Sequence, residues 1–128
     1  MCKLAIIILL LQIILGAFVA GLDAGLVYNQ FPLMGEGFVP DELKISTLSW
    51  TSFSDSVFVQ FVHRMTAYLL SVIIVIFCIK GWKIANKKFS LVLVYIFMAL
   101  VIQVLLGIVT LVYNVPIEFA LLHQFGAI

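Results

Sequence analysis

The chain repeats one short pattern, first as Gln12-Ile-Ile-Leu-Gly16 and again as Gln103-Val-Leu-Leu-Gly107. Each copy continues with Leu-Val-Tyr-Asn, a proline and a histidine: Leu26–Asn29, Pro32 and His63 in the first copy, and Leu111–Asn114, Pro116 and His123 in the second. Leu-Gly alone recurs easily in apolar sequences, but this ordered set is harder to obtain by chance. The repeat predicts a duplicated helix–loop–helix unit that can place two imidazoles face to face.

The composition is that of a membrane protein. Hydrophobic residues make up 65% of the chain, charged residues make up 10%, and the mean hydropathy is +1.28. Soluble domains are roughly half apolar and about a quarter charged. The formal net charge of +1 indicates neither a nucleic acid nor an acidic partner. The two cysteines, Cys2 and Cys78, provide no disulfide framework and no metal–thiolate site.

Three apolar segments are long enough to cross a bilayer, which takes roughly 20 residues. They run over 4–22, 57–79 and 89–112, and a fourth begins at about Ile117 with only about a dozen residues left. The predicted fold is therefore an all-α membrane protein with three complete transmembrane helices and a truncated fourth. The fourth segment either ends as a half-helix or marks the chain as a fragment of a longer protein, and we favour the fragment.

The first segment has an alternative interpretation as a secretory signal peptide, since a lysine precedes its apolar run. Cleavage after Ala20 would place the bulky Phe18 where a small residue is preferred. The repeat also continues past that point, so a retained helix is favoured.

The lysines predict the orientation. The connector 80–88 contains four lysines and no acid, which places it on the cytoplasmic side, or the matrix side in an organelle. The loop 23–56, which holds five of the six acidic residues, then faces outward. His63 and His123 each lie six residues past the first apolar residue of their segments. At about 1.5 Å per residue, both lie about 9 Å deep on the outer side.

Gln60, His63 and Arg64 follow helical spacing on one face of the second segment. Ionisable groups within a hydrophobic helix normally face a bundle interior and a partner. A haem supplies both partners, because its iron binds neutral imidazole and its propionates bind a guanidinium. We therefore predict that His63 and His123 are axial ligands and that Arg64 binds the cofactor. The alternatives are interfacial histidines and an Arg64 that extends to lipid phosphate.

The remaining polar and small residues of the repeat suggest packing roles. Gln12 and Gln103 are predicted to form hydrogen bonds between helices rather than to bind substrate. Gly16 and Gly107 permit close helix approach or room for a flat macrocycle. Asp23 is either a solvated loop carboxylate, which is favoured, or part of a polar cavity. No nucleophile–base pair, phosphate loop or paired carboxylates stand out.

These residues resemble those of the haem A synthase family. The string from Gln12 to Gly35, which includes Ala20-Gly-Leu-Asp-Ala-Gly-Leu26, resembles the start of that family's C-terminal half. Gln60-Phe-Val-His63-Arg64 and Leu122-His123-Gln124 resemble its second pair of histidine motifs. The resemblance implies one half of an eight-helix, pseudo-two-fold bundle that oxidises a methyl group of haem O to the formyl group of haem A. It also implies that haem b is bound between His63 and His123.

The resemblance further implies the partners and the location. The partners are the missing N-terminal half, the haem O substrate, membrane lipid and a haem O synthase, with no nucleic acid. The location is a bacterial inner membrane, with the haem site towards the outer side. Where the family's N-terminal half carries a catalytic glutamate, this chain carries Gln60, which cannot exchange a proton as a carboxylate does.

Two other functions are compatible with the residues. The leading interpretation is the haem b-binding C-terminal part of a haem A synthase-like oxidoreductase, inactive without its other half. The first alternative is a small b-type cytochrome that transfers electrons without chemistry on its haem. The second is a membrane subunit without a cofactor, in which both histidines are interfacial.

Overall fold

The computed structural model describes residues 1–43 and 49–127. Within them the chain forms four α-helices: α1 (Cys2–Gly21), α2 (Ser56–Trp82), α3 (Lys87–Val112) and α4 (Ile117–Phe125). Two 3₁₀ turns, Ala24–Leu26 and Trp50–Ser54, lie between α1 and α2. The helices α1, α2 and α3 are long and apolar enough to cross a membrane. The prediction of an all-α membrane protein with three complete spans and a short fourth helix is confirmed.

The helices α2 and α3 begin at side-chain caps. The carboxylate of Asp55 accepts from the backbone N–H of Phe58 at 2.9 Å, and the Asn86 amide oxygen accepts from that of Phe89 at 2.9 Å. Both bonds satisfy N–H groups that a helix leaves free in its first turn. The helix α2 ends at Trp82, beyond the predicted Ile79, because lysine is a good helix former whose long side chain reaches water from the membrane edge.

The helices pack in chain order: α1 against α2, α2 against α3, and α3 against α4. The centre of this arrangement is α2, whose buried residues are Val59, Gln60, Arg64, Leu70 and Gly81. By contrast, α1 buries Leu15 and α3 buries Leu93, while most of their large apolar side chains are exposed. An outward apolar surface of this kind is suited to lipid, and the chain is an integral membrane protein.

The ends of α1 and α3 have the same backbone geometry. The capping residues Leu22 and Tyr113 are followed by Asp23 and Asn114 at φ values of +50° and +60°. Aspartate and asparagine tolerate this left-handed region better than other non-glycine residues. Asp23 is exposed, as expected for a solvated loop carboxylate.

This equivalence shows which part of the repeat corresponds in structure. The Gln-x-x-Leu-Gly motifs lie at matching positions in α1 and α3. The Leu-Val-Tyr-Asn motifs do not, because Tyr28 and Asn29 follow a 3₁₀ turn whereas Leu111 and Val112 still belong to α3. The eight-helix, pseudo-two-fold arrangement remains a prediction.

The loop after α1 is tied to the neighbouring helix ends. The side chain of Asn29 donates to the carbonyl oxygens of Gly25 at 2.8 Å and of Leu111 at 2.9 Å. A Cβ atom at Gly25 would lie 2.9 Å from a methyl carbon of Val115, so this close approach requires glycine. The loop after α1 is therefore joined to the end of α3 by a hydrogen bond and by close packing.

Candidate functional site

His63 lies between α2 and α1, half-buried. The amide nitrogen of Gln12 is 3.2 Å from its Nδ1 and 3.3 Å from its Nε2. Gly16, one turn further along α1, faces the same ring edge, and a Cβ atom there would lie 3.4 Å from Cε1 of His63. The predicted interhelical hydrogen bond of Gln12 is confirmed, and its partner is the histidine of the same repeat copy.

His123 lies between α4 and α3 in a comparable position. A Cβ atom at Gly107 would lie 2.9 Å from Cε1 of His123. Within residues 1–43 and 49–127, the buried Nδ1 atom of His123 has no hydrogen-bond partner. In each repeat copy, therefore, the glycine of the first helix faces the imidazole of the second, in agreement with the prediction of close helix approach.

The two glutamines of the repeat differ in their contacts. Gln12 contacts the histidine of its own copy. The amide nitrogen of Gln103 instead lies beside Gly126, where an added Cβ atom on Gly126 would be only 2.0 Å away. Hydrogen bonds to Gln103 side-chain atoms are absent from the described part of the chain. The two histidines therefore have different neighbours, although the sequence around them repeats.

The helices that carry the histidines, α2 and α4, are not extensively packed against each other in the described residues. The structure thus places His63 against α1 and His123 against α3, each held by its own hairpin. The prediction that both bind one haem iron stays a prediction.

Arg64 is buried, with 7% of its surface exposed, and its contacts are to the loop after α1. Its terminal nitrogens donate to the carbonyl oxygens of Tyr28 at 2.7 Å, Gln30 at 3.0 Å and Leu33 at 3.1 Å. The guanidinium therefore does not extend to the lipid surface. Its Nε atom is buried without a partner among the described residues, so one donor remains available.

Gln60 supports the same loop one turn earlier in α2. With 2% of its surface exposed, it donates from its amide nitrogen to the carbonyl oxygen of Tyr28 at 3.0 Å. Tyr68, one turn beyond Arg64, packs its ring at 6.4 Å from that of Phe31. The segment 28–33 thus covers one face of α2. Sequence reasoning missed this arrangement, although Gln60, Arg64 and Tyr68 do follow i, i+4, i+8 spacing.

An aromatic cluster lies where α1 and α2 meet the loop. The ring of Phe53 lies 5.9 Å from Phe18 in α1 and 5.3 Å from Phe58 in α2, and Trp50 stacks on it at 6.4 Å. Trp50 itself is 90% exposed. Phe53 therefore packs this part of the loop against the ends of α1 and α2.

The loop between α1 and α2 also contains a coupled pair of titratable groups. Tyr28 donates its phenolic hydrogen to the carboxylate of Glu42. That hydrogen bond, then desolvation, then the negative charges of Glu42 and Asp41 raise the pKa of Tyr28 to about 12. The same bond lowers the pKa of Glu42.

The contribution of this pair to stability follows from the two pKa shifts. For Tyr28 it is complete below the ordinary pKa of 10.0 and is lost as the pH rises towards about 12. For Glu42 it is present above the ordinary pKa of 4.5 and is lost as the pH falls through the lowered value.

We expect Glu42→Ala to move the tyrosinate transition of Tyr28 from about pH 12 back towards 10.0, because the accepting carboxylate is removed. Ultraviolet absorbance titration measures this transition, and Tyr28→Phe identifies it by deleting it. Asp41→Asn is the matched control, with a smaller effect. A titration unchanged by Glu42→Ala would contradict the assignment.

Comparison with known proteins identifies relatives over nearly the whole chain. A haem A synthase of Rickettsia bellii is 51% identical over 124 residues, which cover 97% of this chain and 37% of the relative. Those of Rickettsia felis and Rickettsia prowazekii are 44% and 42% identical over 125 residues, or 98% of this chain and 37% of each relative. The chain thus spans 37% of the length of these relatives. No solved structure matches it significantly.

The family profile described as cytochrome oxidase assembly protein, COX15-CtaA, matches residues 1–128. This match covers both hairpins, the loop held by Arg64 and Gln60, and both histidines. The chain belongs to the COX15-CtaA family of cytochrome oxidase assembly proteins.

Proposed function

We propose that the chain is the haem b-binding C-terminal part of a haem A synthase, with His63 and His123 as the axial ligands of one iron. The observation that carries this proposal is the matched pairing of each histidine ring with a glycine of the neighbouring helix. A Cβ atom at Gly107 would crowd the imidazole of His123 at 2.9 Å, and one at Gly16 would reach van der Waals contact with that of His63 at 3.4 Å, so each ring lies close to the neighbouring helix. The names of the relatives, haem A synthases, support the same function.

The residues fit a haem held between α2 and α4. Imidazole nitrogens are ordinary axial ligands of haem iron, and His123 has a buried ring nitrogen that no described residue binds. The two histidine-bearing helices are not extensively packed together, which is compatible with a flat macrocycle between them. Arg64 retains its free Nε donor for a propionate, although its other donors hold the loop.

In the complete synthase, this part would transfer electrons or support the structure, and the missing N-terminal half would hold haem O. Bound haem b supplies reversible one-electron chemistry of its iron. This chain's residues orient the two imidazoles and cover α2 with the loop 28–33, which limits the access of water. Gln60 cannot take up and release a proton as a carboxylate does, and its amide nitrogen donates to the Tyr28 carbonyl. Oxidation of the haem O methyl group therefore belongs to the other half.

The orientation and the partners complete the proposal. The lysines at the α2–α3 connection, Lys80, Lys83, Lys87 and Lys88, would lie on the cytoplasmic side. The loop 23–56 and both histidines would lie towards the outer side of a bacterial inner membrane. The N-terminal half completes the eight-helix bundle, and a haem O synthase supplies the substrate.

The test has two parts, spectroscopy and reconstitution. The chain, purified in detergent after expression in a haem-replete host, should show the sharp reduced α and Soret bands of a low-spin haem b. Co-expression with the N-terminal half of a relative should restore haem A in a strain that lacks the synthase and accumulates haem O. Restored haem A supports the synthase. Haem b binding without restoration supports the b-type cytochrome. If both bands are absent, the interpretation as a membrane subunit without a cofactor is supported.

The two glycines give a matched prediction within this proposal. Gly107→Ala should displace the His123 ring and remove most of the bound haem, because its Cβ atom would lie 2.9 Å from Cε1. Overpacking of this kind costs about 1–3 kcal/mol. Gly16→Ala should retain haem, because the corresponding distance to His63 is 3.4 Å. The haem-to-protein ratio measures both, and equal ratios would contradict the geometry.

A further inference from the structure

The side chain of Gln12 has one satisfied and one unsatisfied end. Its amide nitrogen is almost equally close to both ring nitrogens of His63, at 3.2 and 3.3 Å. Its carbonyl oxygen is buried and accepts no hydrogen bond from any residue that the structure describes. A buried carbonyl oxygen without a donor is costly, so this atom calls for a partner.

A histidine bound to iron through one nitrogen carries a hydrogen on the other, and this N–H normally donates to a carboxylate, a carbonyl or water. The described residues place one side-chain amide at the ring edge of His63, that of Gln12. A half-turn of this amide about its last side-chain bond exchanges its nitrogen and oxygen. The oxygen then accepts from the imidazole N–H and acquires the partner it lacks, while the amide nitrogen turns to the position that the oxygen leaves.

We propose that Gln12 is a positioning residue for His63: its amide oxygen accepts the free ring N–H when the other nitrogen binds haem iron. This inference rests on the proposed function, in which His63 is an axial ligand. Because the amide of Gln12 lies at nearly equal distances from both ring nitrogens, either nitrogen can be the donor. The bond fixes the plane of the ring and increases the electron density that the imidazole offers to the iron.

The second repeat copy provides an internal comparison. Gln103 matches Gln12 in sequence, but its amide points to Gly126, and Nδ1 of His123 is left without a partner in the described structure. The ring of His63 therefore meets a side-chain amide, whereas the ring of His123 lies beside the backbone of Gln103. The repeat alone does not predict this difference.

The competing explanation is that Gln12 only joins α1 to α2. A joining role depends on shape and interhelical contact, so Gln12→Met, of similar size, would leave the haem unaffected once the chain is folded. A positioning role depends on the accepting oxygen. Its loss makes the imidazole a weaker donor, which stabilises ferrous over ferric iron and raises the reduction potential.

The test compares Gln12→Met, Gln12→Glu and Gln103→Met in the purified full chain, loaded with haem b. We expect Gln12→Met to weaken haem binding about tenfold or more, as loss of such a partner commonly does, and to raise the midpoint potential. Gln12→Glu restores an accepting oxygen and should bind haem with a potential at or below that of the wild type. Gln103→Met should change affinity less than about twofold and leave the potential unchanged.

The outcomes separate this inference from the proposed function. If Gln12→Met matches Gln103→Met in affinity and potential, the positioning role is wrong while haem ligation stands. If Gln12→Met fails to fold, the potential of Gln12→Glu decides, and a potential above that of the wild type overturns the inference. A wild-type spectrum that persists in His63→Ala instead overturns the ligand assignment itself.

Discussion

Replacing His63 or His123 with alanine is expected to abolish the low-spin haem b spectrum of the purified chain. Each imidazole supplies one of the two axial bonds, and alanine offers no atom that can replace it. The other polar groups near His63, the amides of Gln12 and Gln60, are poor iron ligands, and the amide of Gln60 is already bound to the Tyr28 carbonyl. The remaining haem should be high-spin or absent, as reduced-minus-oxidised difference spectra will show.

Added imidazole tests whether the lost ligand is the cause. In His63→Gly the space beside Gly16 is opened, because the missing ring is what a Cβ atom at Gly16 would meet. Millimolar imidazole should then restore the low-spin bands. Lys88→Ala is the control, since this exposed lysine lies at the opposite end of α2 and α3 from both histidines. An unchanged bis-imidazole spectrum in either alanine variant would show that the ligand assignment is wrong.

The helices were predictable from the sequence because their cause is local. An apolar run of the required length specifies a membrane span, whatever the rest of the chain does. Two helix starts carried a further signal in Asp55 and Asn86, which precede apolar runs and cap them. The end of α2 was less predictable, since Lys80 ends the apolar run but not the helix.

The candidate site was predictable only in part. The repeat predicted close helix approach at Gly16 and Gly107, but not that each glycine would face the histidine of its own repeat copy. The different contacts of Gln12 and Gln103 did not follow from the repeat either, since they depend on the position of Gly126 after α4. The two identical Leu-Val-Tyr-Asn motifs also differ in local structure, because Tyr28 follows a 3₁₀ turn while Tyr113 caps a helix.

Arg64 shows why loop contacts escape sequence reasoning. Its partners are carbonyl oxygens, which every residue possesses, so no side-chain pattern marks them. Sequence reasoning considered a haem propionate and lipid phosphate for this guanidinium. The structure shows its terminal nitrogens bonded to the backbone of the segment 28–33, more than thirty residues earlier in the chain, and the propionate contact stays a prediction.

Arg64→Leu is therefore expected to produce the largest loss of stability among the variants considered outside the histidines. The substitution leaves the carbonyl oxygens of Gln30 and Leu33 without their donor and removes one of two donors to that of Tyr28. Hydrogen bonds to charged groups contribute about 1.5–3 kcal/mol each but are not additive, so we expect a loss of about 3 kcal/mol in the free energy of unfolding. Unfolding in mixed detergent micelles measures this loss.

Gln60→Leu is the matched variant on the same helix face, and it should cost about 1 kcal/mol or less. The Tyr28 carbonyl keeps its bond from Arg64, and leucine removes the unsatisfied amide oxygen of Gln60. Hydrogen exchange then locates the effect, because amides of the segment 28–33 should lose protection in Arg64→Leu and keep it in Gln60→Leu. Equal destabilisation by both variants, or protection unchanged in Arg64→Leu, would show that the guanidinium does not hold this loop. Arg64→Lys separates charge from geometry: a single ammonium cannot reach all three carbonyl oxygens as a planar guanidinium does, so its stability should lie between those of the wild type and Arg64→Leu.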